Sequence, residues 1–534
     1  MSDDAAELLL PPDAAAQKKQ HQEQHREQLS SRAELRKLIA ISWPVALATL
    51  CRVAMYSTDT AFVGHLGTDE LSAVSLAQAW TQFWSVLVWA SAYALNSVCA
   101  QAIGAGNKKL AGHWLQLALG LVTVQAVPVL FSYLFSKRVL LVITDDNRHV
   151  SDLGELFNEW SALTFLPTVW YMAIRQFMQA LQVVWPATIV SLLAVGVNAG
   201  LNQLLIWGAG DWHGWGLVGS PLATTLSLCF QLGVFISYAF CWKGHHREYW
   251  PGWCRSSFEY SRVRRYLKVV LPMTIGSAVE NWGYQLITFA SGRLTTADVA
   301  AMSAMFNIWG VLWTFYWGWG LALQVRVGNH LGAGRPGAAR LVAKLSFQIV
   351  AVMVALAAAA CIALRRELAE LYSADEVVIG LVADAMPILA LDYAMGCAGL
   401  CATNVLEGMA RNKVMAWVNS LAMWLVQLPL SLYFAFACPL FSAHPVRGLW
   451  WGGVIGELTK AVSLWYVVAR TDWDEASREA VERSEASKKE EGEGAIDQEQ
   501  DRDGQDEKEE EEKGPAQTQV TIKEEDNGQG EHSA

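Results

Sequence analysis

Charge is scarce in this chain. Only 17% of its 534 residues are Asp, Glu, Lys or Arg, while 53% are hydrophobic; a soluble domain carries about 25% charged residues. That shortage argues against an ordinary cytosolic enzyme. The nine Cys include no Cys-x-x-Cys pair, and Cys397 and Cys401 share a helix face without nearby His, which argues for small apolar packing over metal. No apolar core follows a basic start within the first 30 residues, so no cleavable signal peptide is expected. The segments Gly104-Ala-Gly106 and Gly332-Ala-Gly334 do not continue into Gly-Lys-Ser/Thr, so they read as turns and not as phosphate-binding loops. His113 is the one His well inside a long apolar stretch. With no paired His motif and no Ser/His/Asp set there, neither an enzyme, a metal site nor a cofactor is expected.

Trp and Gly are plentiful instead, at 25 and 41 residues. Trp favours membrane interfaces, and Gly is commoner in membrane helices than in soluble ones. The formal net charge is -11, but it is unevenly placed. Residues 471–534 carry 23 acidic and 8 basic side chains, which leaves residues 1–470 at +4. Such a tail cannot bury enough apolar surface to offset its ordering entropy and reads as disordered. The acidity therefore says little about partners, beyond arguing against nucleic acid.

Between 38 and 470 there are 47 charged residues in 433, and several stretches, such as Leu71 to Asn107 and Val299 to Val325, have none. A helix needs about 20 apolar residues to cross the hydrocarbon of a bilayer. Cutting at charges and Gly/Pro clusters predicts twelve spans, starting near 38, 72, 111, 155, 187, 215, 266, 298, 338, 376, 414 and 448. Lys and Arg favour cytoplasmic loops. With both termini inside, the inner segments before the tail hold 22 of them and the outer loops 7.

The chain also repeats at an offset of 228. Pro44 matches Pro272, the stretch Gly64 to Ser75 matches Gly292 to Ser303, and Gly104-Ala-Gly106 matches Gly332-Ala-Gly334. Six spans per half give both halves the same orientation. An all-α membrane protein is the result, with twelve transmembrane helices in two six-helix lobes related by a pseudo-twofold axis along the membrane normal. The expected parts are a polar cytoplasmic arm (1–37), an N-lobe (38–240), a basic cytoplasmic connector (241–265), a C-lobe (266–470) and the acidic tail (471–534).

Four stretches, Ser42-Trp-Pro, Asp59-Thr-Ala-Phe-Val-Gly-His-Leu-Gly67, Gln101-Ala-Ile-Gly-Ala-Gly-Asn107 and Val325-Arg-Val-Gly-Asn-His-Leu-Gly-Ala-Gly334, resemble the multidrug and toxic compound extrusion (MATE) transporters, the last being similar to their eukaryotic branch. The resemblance covers about 38–470. It implies a secondary antiporter that exports organic cations, drugs or metabolites against protons or sodium ions by alternating access, as a monomer in a plasma, vacuolar or endosomal membrane.

An ionisable residue inside the bilayer is a functional hypothesis by default. Glu280 lies 14 residues, roughly 21 Å, into its span, with no Lys or Arg within one turn along the helix. A carboxylate that holds either a proton or a cationic substrate, but not both, couples the two flows. Val279-Glu-Asn-Trp-Gly-Tyr284 resembles the family's acidic site on the seventh helix, with Asn281 in place of a Trp and Gln285 where a second Glu often stands; Tyr284 belongs to the same motif. Asp59 matches the first-helix Asp of bacterial and archaeal relatives, with Asn198, Asn202 and Thr224 as its polar neighbours on the fifth and sixth helices. Arg52, seven residues earlier on the same face, is the competing partner, as a structural ion pair. Asp392 and Glu407 on the tenth span are weaker candidates. Glu457 and Lys460 read as a structural i,i+3 pair. Trp309, Trp313 and Tyr316 form an aromatic face suited to an organic cation or to packing. The alternative functions are a flippase for a lipid-linked or amphipathic substrate and, more remotely, a scaffold acting through the tail.

Overall fold

The computed structural model describes residues 12–143, 148–250, 252–253, 255–291, 293–372 and 375–485. Twelve long helices cross the molecule: α1 (Pro12–Gly64), α2 (Thr68–Gly104), α3 (Lys108–Leu134), α4 (Arg148–Ala180), α5 (Trp185–Trp207), α6 (Gly216–Trp242), α7 (Tyr260–Ser291), α8 (Thr296–Gly332), α9 (Pro336–Ala363), α10 (Glu376–Gly408), α11 (Asn412–Phe436) and α12 (Pro445–Arg470). Among the described residues nine of these are long and apolar enough to span a bilayer by composition alone. The other three, α4, α7 and α12, fall short of that mark, and two of them build the site. A helix satisfies its backbone groups within its own segment, as hydrocarbon demands, which is why long apolar runs fold this way. Leu192 and Leu193 on α5 and Val352 and Leu356 on α9 point outward and exposed, as side chains facing lipid do.

Helices α1–α6 and α7–α12 form two lobes with matching contacts. In one, α2 packs on α3 and α4, α4 on α6, and α1 on α5; in the other, α8 packs on α9 and α10, α10 on α12, and α7 on α11. Between the lobes α2 meets α7, its counterpart α8 meets α1, and α2 crosses α8 on the axis. The crossing is made by the repeated glycines. A Cβ on Gly104 would strike the carbonyl of Asn329, and a Cβ on Gly332 that of Gln101. These contacts are equivalent under the offset of 228. The turn reading holds for the second glycine of each segment, since Gly106 (φ 74°) and Gly334 (φ 69°) are left-handed.

The lobes are tied at the end where α12 finishes, which is the end that carries Glu34 of α1. Glu34 on α1 accepts from Arg326 Nε and Nη2 on α8 at 2.9 and 2.7 Å, and His330 Nε2 stands 3.3 Å from the same carboxylate. All three side chains are buried. Beyond α12 the chain does not lose structure at 471, where the sequence suggests a disordered tail. Residues 473–485 form a further helix, α13. It buries Ala476 and Ala480 and touches both lobes: Ser477 Oγ donates to Leu331 O, Arg483 Nη1 donates to Gln101 Oε1 at 2.8 Å, and Asn107 Nδ2 donates to Ser484 O. Arg411 faces Glu475 and Glu479. The rest of the tail, 486–534, lies outside the described residues.

The connector folds into two short 3-10 turns, His245–Glu248 and Arg255–Phe258, and α7 begins at Tyr260, earlier than expected. His113 bonds Ser257 there at 2.7 Å, and Gln116 accepts from the same hydroxyl.

Candidate functional site

Among the described residues the candidates gather in two separate polar clusters, one in each lobe. In the first, Asp59 is buried on α1. Asn198 and Asn202, one turn apart on α5, donate to its Oδ1 at 3.0 and 2.7 Å, and Thr224 on α6 donates to its Oδ2 at 2.7 Å. Arg52 is not the partner: it donates to the Tyr93 hydroxyl on α2 at 3.3 Å, and among the described residues no ion pair joins it to Asp59. One helix face carries both residues, but their side chains turn to different neighbours. The buried carboxylate is thus satisfied by three neutral donors.

The second cluster borders a cavity of about 530 Å³ that lies mainly within the second lobe, with Val86, Trp89, Ala90 and Tyr93 of α2 as its wall toward the first. Every second-lobe candidate read from the sequence lines it: Glu280, Asn281, Tyr284 and Gln285 from α7, Trp309, Trp313 and Tyr316 from α8, and Asp392 and Glu407 from α10. Asp59, Asn198, Asn202 and Thr224 are not among the lining residues. Trp309 and Trp313 stack with ring centroids 4.5 Å apart and planes 17° apart, and Tyr316 stands 5.9 Å from Trp313. This spacing comes from i,i+4 and i,i+3 positions on one helix.

Glu280 has no Lys or Arg within a turn of its own helix, but the twelfth helix supplies one. Lys460 Nζ lies 2.9 Å from Glu280 Oε1 and 2.7 Å from Glu457 Oε2. The i,i+3 pair on α12 is therefore present, but it extends across to α7. Tyr284 donates to Glu457 Oε1 at 2.6 Å, and Asn419 on α11 donates to Glu280 Oε2 at 3.1 Å. Asp392 faces α12 where Gly453 makes room, since a Cβ there would come within 2.7 Å of its Oδ1. A π-turn at Ala422–Gln427 breaks the regular register of α11, and such turns cluster at functional sites. The cavity thus joins an aromatic wall to three carboxylates, Glu280, Asp392 and Glu407, and one ammonium. Sequence reading missed Lys460, Asn419 and Trp89 as lining residues. For Lys460 the signal was present, as a charge deep inside an otherwise apolar helix, but its partner on α7 was not visible.

The MatE family model matches the chain twice, over residues 44–204 and 272–433; the two matches begin 228 residues apart, at the prolines that open the repeat. Among curated relatives, Multidrug and toxin extrusion protein 2 of Mus musculus is 28% identical over 456 residues, covering 85% of this chain and 77% of its own. Protein DETOXIFICATION 52 of Arabidopsis thaliana is 29% identical over 447 residues, covering 83% and 85%. The fold matches the crystal structure of the eukaryotic MATE transporter AtDTX14 with a TM-score of 0.78 at 22% identity, over 85% of this chain and all of that one.

Proposed function

The chain belongs to the MatE family of multi-pass membrane transporters, and from that membership we propose a secondary antiporter that exports organic cations in exchange for protons or sodium ions. The observation that carries this reading is the cavity itself: stacked aromatic rings beside carboxylates, with a single ammonium among the lining residues. Desolvated aromatic faces attract cations by about 0.5–2 kcal/mol each, and the carboxylates supply the complementary charge. Glu280 is the coupling group, which holds either the inward-moving ion or the cargo. Asp59, in its cage of neutral donors, is a second ion-binding carboxylate. The basic end with both termini faces the cytoplasm of a plasma, vacuolar or endosomal membrane, and one copy of the chain suffices.

Alternating access is the motion the two-lobe plan allows. Rocking about the α2–α8 crossing exposes the cavity to one side and then the other. Export requires the end tied by Glu34, Arg326 and α13 to part when cargo loads from inside.

The test is exchange in proteoliposomes with an imposed proton gradient, then an imposed sodium gradient. Uptake of an organic cation driven by one gradient supports the reading, and equal uptake without either gradient overturns antiport. Undiminished coupled exchange in Glu280→Gln would remove Glu280 from the coupling role.

A further inference from the structure

Lys460 is buried on α12, and its ammonium contacts two carboxylates on different helices, Glu280 on α7 and Glu457 on its own helix. An ammonium at that depth is stable only with such partners. The two partners are not equivalent. Glu457 is buried and held in place by the Tyr284 hydroxyl, so it stays where it is whatever Glu280 does. Glu280 borders the cavity and is about a fifth exposed to it. One of its oxygens is held by Asn419, and the other is the one that faces Lys460. The Lys460 ammonium therefore occupies the same carboxylate oxygen that an entering cation would need.

The surroundings leave the lysine room to move. Its stem passes over Gly399 of α10, where a Cβ would come within 3.3 Å of Cε, and Gly396, one turn away, faces the Glu457 carboxylate. A lysine stem is long and flexible, and with no side chain at Gly399 it can swing while keeping its bond to Glu457. The charged groups that bear on it are Glu280 from α7, Glu457 from α12 and Asp392 from α10; Tyr284 bonds Glu457, Glu407 and the neutral Asn419 of α11 bear on Glu280, and α8 supplies the aromatic wall.

Resting on the cation-exchange reading above, we infer that Lys460 is a tethered internal cation: it occupies Glu280 in the empty carrier, and a cationic substrate displaces it onto Glu457. The device has two consequences. A tethered group competes at a high effective concentration, so it weakens cargo binding and speeds release. It also keeps Glu280 paired in the interval between release of one cation and arrival of the next, before the carrier changes sides. No covalent bond is made or broken, and the ammonium keeps its protons throughout.

The experiment uses the full chain in lipid nanodiscs for binding and in proteoliposomes for turnover, with tetraphenylphosphonium as the probe. The variant Lys460→Met removes the internal cation. Because it leaves Glu457 with only its Tyr284 bond, the double variant Lys460→Met/Glu457→Gln is made beside it, replacing the pair with neutral groups and keeping Glu280 intact. In the folded double variant the Kd for tetraphenylphosphonium is expected to fall about tenfold, with KM and kcat falling together. Lys460→Arg, which keeps a cation, returns both toward wild-type values. An unchanged or raised Kd in a double variant with a wild-type melting transition overturns the inference. If the wild type binds the probe and Glu280→Gln abolishes binding, such a result removes the role of Lys460 alone. If the wild type binds no cation, the antiport reading and this inference fall together.

Discussion

Gly104 of α2 lies directly against the carbonyl of Asn329 on α8, and the reciprocal contact joins Gly332 to Gln101. Close backbone approach at this crossing holds the lobes together on their pseudo-twofold axis. Small residues are the ordinary means of bringing membrane helices so near.

Valine at either glycine should therefore separate the two helices. Overpacking a tight contact costs about 1–3 kcal/mol, so Gly104→Val and Gly332→Val should each lower the melting temperature of the purified protein. Their effects should not add, because both act on one crossing. Scanning fluorimetry of the two single variants and the double variant reads this directly; additive losses would mean that the two contacts act independently.

The Asp59 cage predicts a contrast between two neighbours on α1. In Asp59→Asn the bonds from Asn198, Asn202 and Thr224 lose their charged acceptor, and a hydrogen bond to a charged group is worth about 1.5–3 kcal/mol against about 1 for a neutral one. Exchange and stability should both fall. Arg52→Met should leave the ion dependence of exchange unchanged, since Arg52 bonds Tyr93 and not the carboxylate. A shifted ion dependence in Arg52→Met would show that the two charges act as a pair.

The stacked pair on α8 should favour flat aromatic cargo. Replacing Trp313 by Leu removes one ring from the wall and should raise KM for an aromatic cation by about 2- to 30-fold, the equivalent of one cation–π contact. An aliphatic quaternary amine of similar size should lose less than a planar aromatic one. Equal losses would place the ring in packing alone.

Glu34→Gln breaks the tie between α1 and α8 and leaves Arg326 buried without its carboxylate. Losing one partner of a buried ion pair costs about 3–5 kcal/mol, so this variant should melt well below the wild type. Adding Arg326→Met should recover much of that loss, because no uncompensated charge then remains. A double variant no more stable than Glu34→Gln would show that the pair acts through geometry and not through charge.

Truncation separates the two parts of the segment after α12. Ending the chain after Glu485 keeps α13 and its bonds to both lobes, and melting temperature and exchange should match the full chain. Ending it after Thr471 removes the bonds from Ser477, Arg483 and Ser484 and should lower the melting temperature. It should also raise the fraction of molecules open at that end, as read by cysteine labelling of the cavity. If both truncations behave alike, α13 does not brace the lobes.

Much of this architecture is local information. The predicted span starts, for example 72, 187, 338 and 414, fall within a few residues of the helices that begin at Thr68, Trp185, Pro336 and Asn412. Hydrocarbon offers the backbone no partner, so a long apolar run must become a helix whatever surrounds it. The two-lobe plan was likewise readable, because matching residues at an offset of 228 need no knowledge of contacts. The tail boundary was not: residues 473–485 are rich in charge, like the remainder of the tail, yet a few small and polar side chains find complementary sites on both lobes.

Partner choice among the buried charges is the part that hydropathy leaves open. Arg52 and Asp59 share a face of α1, but helix packing brings Tyr93 to one and Asn198, Asn202 and Thr224 to the other. Glu280 has no cation near it along the chain, yet Lys460, 180 residues later, lies against it. A helix's own residues determine that it forms and which way its side chains radiate. Which neighbour meets each side chain depends on how twelve helices cross and rotate against one another, and that is a property of the packed fold.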